Sequence, residues 1–307
     1  MNCFRGRLKW SWWPLFSTIL LVGLSACAGE KISTDSMAVT EAQIQDYWFD
    51  GAEISRFDLE QSRYGAEHQG TAEFIFVTEP FLVSQQVKHE FGNGKSVPVL
   101  KLNALRTFNT GIYSYRTMLS VFDPLPDEGY SHALKTTLSV QDWCGQVFYQ
   151  MNYRDSAWKA ELRSYFQGEA DQDFSLESTW LEDEIWTTIR IDPESLPVGE
   201  FSMIPSALYL RFQHIEPSAH TAIGKLEEND GLMIYAINYP ELGRTLEISF
   251  EKEFPFVING WTELQEGEKV KTVAKRTHLL RNRYYWSEHD NKDRKSRKLL
   301  GLEPDLQ

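Results

Sequence analysis

Hydrophobic and polar residues alternate along most of this chain from residue 72 onward. The clearest case is residues 245–251, where Leu246, Ile248 and Phe250 alternate with acidic residues and a serine. A period of two places such apolar side chains on one face of a β-strand. Similar patterns predict strands over residues 72–78, 97–103, 157–166, 208–213, 232–239, 256–262 and 272–286. The whole pattern predicts roughly ten to twelve strands.

Two stretches, residues 107–122 and 134–153, are longer than the others and rich in Thr, Val, Tyr and Phe. These residue types suit a pleated, half-buried surface. The segment between them, residues 123–129, holds two prolines, a glycine and acids, which are typical of a loop. We predict two long antiparallel neighbours, with a bulge or kink at Gly111 and Gly145 because strands of this length rarely stay regular.

If the two long strands pair, their apolar positions form one buried face. The expected members of that face are Ile112, Met118, Val121, Val140 and Phe148. We expect an aspartate at Val140 to unfold the protein, because burying an unpaired charge is costly. We expect an aspartate at Leu125, in the loop, to have little effect.

Helical signals are few. Thr40 and Gln43 form a capping-box pattern at the start of a short helix over residues 40–48. A second helix is predicted from Ser178, a favourable N-cap, with Leu181, Ile185 and Ile189 on one face and an end at Asp192-Pro193. The acidic residues 182–184 lie in its first turns, where the helix dipole favours anions. A basic helix or tail is predicted for residues 291–307.

These elements predict a mostly β protein: a large curved antiparallel sheet or partial barrel, with one packed amphipathic helix and short terminal helices. No βαβ rhythm is present. We expect a single β-rich domain over residues 40–290, with a possible subdivision near residues 168–178, which are acidic and poor in apolar residues.

The first 26 residues have the pattern of a signal peptide. Arg5, Arg7 and Lys9 precede a short apolar run over residues 15–24. The sequence Leu-Ser-Ala-Cys at residues 24–27 then resembles the lipobox of bacterial lipoproteins, which implies cleavage before Cys27 and acylation of that cysteine. Residues 27–39 are expected to form a tether. No Asp follows Cys27, which favours the outer membrane, with the protein facing the periplasm or exposed at the surface.

Charge is distributed unevenly. The chain has a formal net charge of −13, and loss of the three positive charges in residues 1–26 makes it −16. Residues 269–298 carry eleven Lys and Arg against three acids, a net of +8, whereas residues 27–268 carry 17 basic and 39 acidic residues, a net of −22. An acidic protein is unsuited to general nucleic-acid binding. The basic end either packs on the acidic part or contacts anionic lipid headgroups or polysaccharide.

Candidate chemistry is sparse. Cys144 is the one cysteine outside the signal peptide and the lipobox. It is a weak catalytic candidate, and we expect it to be buried, because free cysteine is among the most buried residue types. The spacing of His214 and His220 matches no common metal pair, and residues 171–173 lack the rest of a calcium loop. We expect neither a metal nor a cofactor.

Four segments together resemble an uncharacterised family of bacterial lipoproteins, some of whose members carry the name septum formation inhibitor Maf. They are YWFDGAEI at 47–54, QSRYG at 61–65, FNTGIY at 108–113 and WCG at 143–145. True Maf proteins are cytosolic nucleotide pyrophosphatases that open with a phosphate-binding loop, and this sequence lacks that loop. The resemblance implies an envelope lipoprotein and supplies no catalytic residues.

We therefore expect a non-enzymatic lipoprotein, attached to a membrane through lipidated Cys27, that binds an apolar ligand or an envelope protein through its curved sheet. One alternative is an envelope hydrolase that uses Cys144 or a carboxylate pair. A second alternative, which the missing phosphate loop disfavours, is a Maf-type nucleotide pyrophosphatase.

Overall fold

The computed structural model describes residues 37–126 and 128–302. Strands account for 54% and helices for 17% of the structure, which confirms the predicted mostly β fold. Within the described residues, sixteen strands form one mixed sheet that is not closed into a barrel. The strands are β1 Ala52–Arg63, β2 Ala66–Leu82, β3 Val87–Lys88, β4 Val97–Thr110, β5 Tyr113–Pro124, β6 Lys135–Gln141, β7 Gln146–Arg154, β8 Ala157–Ser164, β9 Asp171–Glu177, β10 Trp180–Leu181, β11 Gly199–Ile204, β12 His220–Asn229, β13 Leu232–Tyr239, β14 Arg244–Glu251, β15 Ile258–Gln265 and β16 Thr272–Arg283.

Three α-helices and several 3₁₀ helices accompany the sheet. The α-helices are α1 Glu41–Trp48, α2 Ile185–Ile191 and α3 Ala207–Gln213. The 3₁₀ helices are Glu182–Glu184, Pro193–Ser195, Pro240–Leu242, Tyr285–Ser287 and Asn291–Leu300. Among the described residues, no helix has the length and apolar character that crossing a bilayer requires.

The strand order is β10-β11-β12-β13-β14-β15-β16-β1-β2-β4-β5-β6-β7-β8-β9, with β3 paired to β2. Neighbours are antiparallel except β10 and β11. The two halves of the chain therefore form two successive meanders, which join where β16 pairs with β1. The outermost strands, β9 and β10, are consecutive in the chain and separated by two residues. The acidic segment near residue 170 contains the edge strand β9, which pairs with β8.

The prediction of two long strands is wrong: each stretch is a hairpin. The first turns at Gly111, whose φ of +63° suits a residue without a Cβ. The second turns at residues 142–145, where the Asp142 carboxylate accepts the backbone N–H of Cys144 at 2.6 Å and of Gly145 at 3.1 Å. This side-chain acceptor stabilises a turn in place of a continuous strand. The two glycines mark the breaks, as turns rather than bulges.

The turns also change which side chains are buried. Val121 and Val140 are buried as predicted, whereas Ile112, at the tip of the first hairpin, is 83% exposed. Met118 is exposed and Phe148 half-buried, because β5 and β7 turn their other faces inward. Leu125 is buried, so it is not the tolerant loop position that the sequence indicated.

Residues 208–213 were predicted as a strand and form helix α3. Ser206 accepts the backbone N–H of Leu208 at 3.3 Å and caps the helix. Four of its seven residues are buried, and these four lie on one face of the helix. A short apolar run fits both the two-residue period of a strand and the 3.6-residue period of a helix. Tertiary packing decided in favour of the helix.

The interior helical segment differs from the prediction at its start. Ser178 does not cap it: a 3₁₀ turn over Glu182–Glu184 leads into α2 at Ile185. Leu181, Ile185 and Ile189 are all buried, as their spacing predicted. Helix α1 has the predicted capping box at Thr40.

Candidate functional site

The inner face of the sheet is covered by the protein's own side chains. Trp186 of α2 contacts the ring of Phe74 on β2 and that of Trp261 on β15, each at a centroid distance of 5.4 Å. Ile185 and Ile189 are fully buried beside it. Within the described residues, several separate cavities and clefts lie beside these interior segments.

A small and mainly apolar space, here named the α3 cavity, lies between α3 and strands β7 to β9. Its volume is about 60 Å³. Half of its lining residues are hydrophobic, and these come from β7, β8, β9, α3 and the segment after α3. These hydrophobic residues are Val147, Leu162, Phe174, Ala207, Leu210, Ile215 and Pro217. The helix covers the cavity because its buried face turns toward the sheet.

Charged and titratable side chains line the polar part of the α3 cavity, among them Glu169, Arg211 and His214. Glu169 accepts from Arg211 at 3.1 Å and pairs with His214 at 2.7 Å. Burial alone would raise the pKa of Glu169, but hydrogen bonds from Ser164 and His214 and the charge of Arg211 hold it below its ordinary value. This carboxylate is therefore ionised, and it ties the segment before β9 to the end of α3.

The α3 cavity also borders a buried hydroxyl without a partner. Tyr149 is 5% exposed, and its Oη makes no hydrogen bond within the part of the chain that the structure describes. Burial, and then the charge of Asp183, raises the pKa of Tyr149, so its hydroxyl keeps its proton. A buried polar group without a partner costs about 1–3 kcal/mol.

Asp183 adds a second unsatisfied atom in the same region. Its Oδ2 accepts the backbone N–H of Ala207 at 3.1 Å, and its Oδ1 has no hydrogen-bond partner among the described residues. Burial is the main cause that raises the pKa of Asp183 to about 7, against the hydrogen bonds from Ser206 and Ala207. Near neutral pH this carboxyl can be either donor or acceptor.

The opposite face of α3 borders a polar cleft of about 240 Å³, formed with the ends of β1 and β15. Two buried ion pairs lie at its inner end. Arg244 binds Glu182 through both terminal nitrogens, one at 2.7 Å, and Arg106 pairs with Glu263 at 2.8 Å. Tyr239 also donates to Glu182, at 2.9 Å. These charges satisfy one another, which favours a structural role.

A third space, of about 310 Å³, lies near the loop after β5 and is named here the acid–base cleft. Glu184 accepts from the backbone N–H of Ala133 at 2.7 Å and pairs with His132 at 3.0 Å. Asp123 accepts from Thr187 at 2.7 Å. Burial, and next the charge of Glu184, raises the pKa of Asp123 well above its ordinary value. A carboxyl group whose protonated form is favoured by burial thus lies near a second carboxyl, a pairing found in acid–base catalysts.

The structure corrects the main sequence candidate. Cys144 is exposed, not buried, because it lies in the β6–β7 turn and not within a strand. His214 and His220 lie in separate elements, and each pairs with its own glutamate. Within residues 37–126 and 128–302, no group of three His, Cys, Asp or Glu could hold a metal ion. Cys27 lies outside the described residues.

Sequence reasoning missed the carboxyl groups that line these spaces. It placed Glu182, Asp183 and Glu184 in the first turns of a helix for their effect on the helix dipole and did not predict that all three are buried. A signal was available, since the acids lie between the core residues Leu181 and Ile185. Their long-range partners are 24 to 62 residues away along the chain, so no local pattern reveals them.

Comparison with known proteins adds no assignment. A scan against models of protein families found no match, and a search of curated proteins found no similar sequence.

Proposed function

We propose that this protein is a non-enzymatic envelope lipoprotein that binds a small, mostly apolar ligand in the α3 cavity. The observation that supports this function is an apolar cavity lined in part by Tyr149, whose buried hydroxyl has no hydrogen-bond partner among the described residues. Ligand sites are typically apolar with a few placed polar groups. The ligand accordingly has an apolar body and one hydrogen-bonding group that reaches Tyr149.

The cavity limits the size of the ligand. Its volume of about 60 Å³ is well below the roughly 150 Å³ of a protein cavity that takes up benzene. A ligand larger than a few non-hydrogen atoms therefore requires Ile215 and the segment after α3 to move outward. Ile215 is half-buried, so its displacement exposes little additional apolar surface.

A thermal-shift experiment with simple probes tests this proposal. Primary alcohols and phenols should raise the melting temperature more than hydrocarbons of the same carbon skeleton do. Only the alcohols and phenols can form a hydrogen bond with the Tyr149 hydroxyl. Tyr149→Phe should remove the difference between alcohol and hydrocarbon while leaving hydrocarbon binding intact.

Cavity access is tested with a matched pair of substitutions. Ile215→Phe fills the entrance and should abolish the ligand-induced shift. Ile223→Phe makes the same change at an exposed position on β12, outside the cavity, and should preserve the shift. Equal shifts in both variants would place the probe elsewhere and reject this cavity as the site.

Attachment to the outer membrane through acylated Cys27 is part of the same proposal. The support is the lipobox at residues 24–27 behind a basic start and an apolar run. Several acyl chains hold a protein on a bilayer without a membrane-spanning helix. Cys27→Ser should release the protein from membranes, as measured by fractionation after a high-salt wash; a variant that stays bound would refute the anchor.

A second function, hydrolysis of an envelope polymer or ester, is favoured by the acid–base cleft. Asp123, whose raised pKa favours the protonated form, would protonate a leaving group while the Glu184–His132 pair accepts a proton from water. Activity on cell-wall fragments, glycosides or esters should disappear in Asp123→Asn and persist in Asp173→Asn, which alters an exposed aspartate. Activity that instead depends on Cys144 would assign hydrolysis to the thiol, and nucleotide hydrolysis would support the Maf-type alternative.

A further inference from the structure

The C-terminal part of the described chain carries exposed aromatic and basic side chains in close succession. Tyr284, Tyr285 and Trp286 follow β16 directly and are 37–49% exposed. The 3₁₀ helix Asn291–Leu300 then presents exposed Lys292, Lys295, Lys298 and Leu299. We name the region made of these seven residues the basic-aromatic surface.

This surface differs in charge from the rest of the protein. Residues 269–298 have a net charge of +8, whereas residues 27–268 have a net charge of −22. Part of the basic charge is balanced locally: Arg283 pairs with Glu288, and Lys292 lies 3.0 Å from Asp290. An anionic partner would be repelled by most of the chain and attracted here.

We propose that the basic-aromatic surface binds the headgroups of anionic phospholipids. The lysines would interact with phosphate groups, and Tyr284, Tyr285 and Trp286 would enter the interfacial layer, where Tyr and Trp are enriched. This contact goes beyond ligand binding in the α3 cavity. It orients the protein so that its acidic part faces away from the membrane.

The aromatic residues favour a lipid surface over an anionic polysaccharide. Lysines alone would serve either partner equally. Leu299, which is 50% exposed, adds an apolar side chain beside Lys298. An interfacial segment gains from burying such apolar groups in the headgroup region, and a basic segment gains further from anionic lipid.

Hydrogen exchange of the full protein in nanodiscs tests the proposal. We expect backbone amides of residues 284–299 to exchange about tenfold more slowly in phosphatidylglycerol discs than in phosphatidylcholine discs. The reason is that each lysine near an anionic surface adds attraction. Fluorescence quenching by brominated lipid should decrease in Trp286→Phe. High salt should reverse the protection by shortening the range of the charges.

A charge-matched comparison locates the effect. The triple variant Lys292→Glu, Lys295→Glu, Lys298→Glu should lose the protection. The variant Lys95→Glu, Lys159→Glu, Lys225→Glu changes net charge equally at exposed lysines elsewhere and should keep it. Three outcomes would overturn the proposal. They are equal protection in both disc types, equal loss of protection in both variants, and protection by a soluble anionic polysaccharide but not by lipid. Failure to enter either disc would count against the Cys27 anchor instead.

Discussion

Three consecutive acids at residues 182–184 are buried, and each is stabilised differently. Glu182 is paired with a cation, Arg244, which offsets the cost of removing its charge from water. Glu184 accepts two backbone N–H groups, from Ala133 and Leu181, in addition to His132. Among the described residues, Asp183 has hydroxyl and amide donors but no ion pair, and burial raises its pKa above the ordinary value.

Asp183 should make stability depend on pH. Its pKa is about 7 in the folded protein and 3.8 ordinarily, so the folded state binds the proton more tightly. This contribution to stability is complete below pH 3.8 and is lost as pH rises through about 7. At about pH 8 the loss in the free energy of unfolding is about 4 kcal/mol.

Asp183→Asn should remove this dependence, because asparagine does not titrate. Urea denaturation at several pH values from about 4 to 8 should show the variant gaining stability relative to the unmodified protein as pH rises. The control Asp173→Asn changes a mostly exposed aspartate and should show no such trend. A constant stability difference for Asp183→Asn across this range would contradict the raised pKa.

At the scale of the element, the hairpin register decides which positions tolerate a charge. On β6, Val140 faces the core and is 2% exposed, whereas Met118 on β5 faces outward. Turns at Gly111 and at residues 142–145 set this register, and a shift by one residue would exchange the two faces. Leu125 lies just after β5 and is packed in the core rather than in a free loop.

Val140→Asp should unfold the protein or cost several kcal/mol, because an unpaired charge would be buried against a typical stability of about 5–15 kcal/mol. Leu125→Asp should be similarly damaging. Met118→Asp is the control on the outer face and should be nearly neutral. Chemical denaturation measures all three, and equal tolerance at Val140 and Met118 would mean that the assigned register is wrong.

At the scale of the whole molecule, buried charges connect parts that are distant in sequence. Arg190 of α2 binds Glu53 of β1 at 2.6 and 2.7 Å and donates to the carbonyl of Pro255. Trp48 and Phe76 lie over its guanidinium at 4.9 and 4.6 Å. The interior helix is thereby connected to the strand at the junction of the two meanders.

Breaking the Arg190–Glu53 ion pair should lower the free energy of unfolding, because it leaves one buried charge without a partner. Arg190→Met or Glu53→Met alone should lose about 3–5 kcal/mol, while the double variant should lose less than the sum. Lys225→Met, which breaks an exposed pair with Glu227, should cost at most about 1 kcal/mol. Strict additivity in the double-mutant cycle would show that Arg190 and Glu53 do not stabilise each other.

Local pattern determined the parts of this protein that depend on near neighbours in sequence. The mostly β fold and the buried face of β14 follow from a period of two residues. The capping box at Thr40 follows from residues within one helical turn. The lipobox-like sequence at residues 24–27 is likewise local, and acylation of Cys27 stays a prediction from sequence alone.

Tertiary structure decided what depends on distant partners. Residues 208–213 became a helix because one apolar face could cover β7 to β9, although the short run also fits a strand. Asp123 and Glu184 lie near each other only because β5 and the interior segment pack together, 61 residues apart in the chain. Burial, which raises the pKa values of Asp123, Tyr149 and Asp183, is a property of the folded core, so no local sequence pattern carries it.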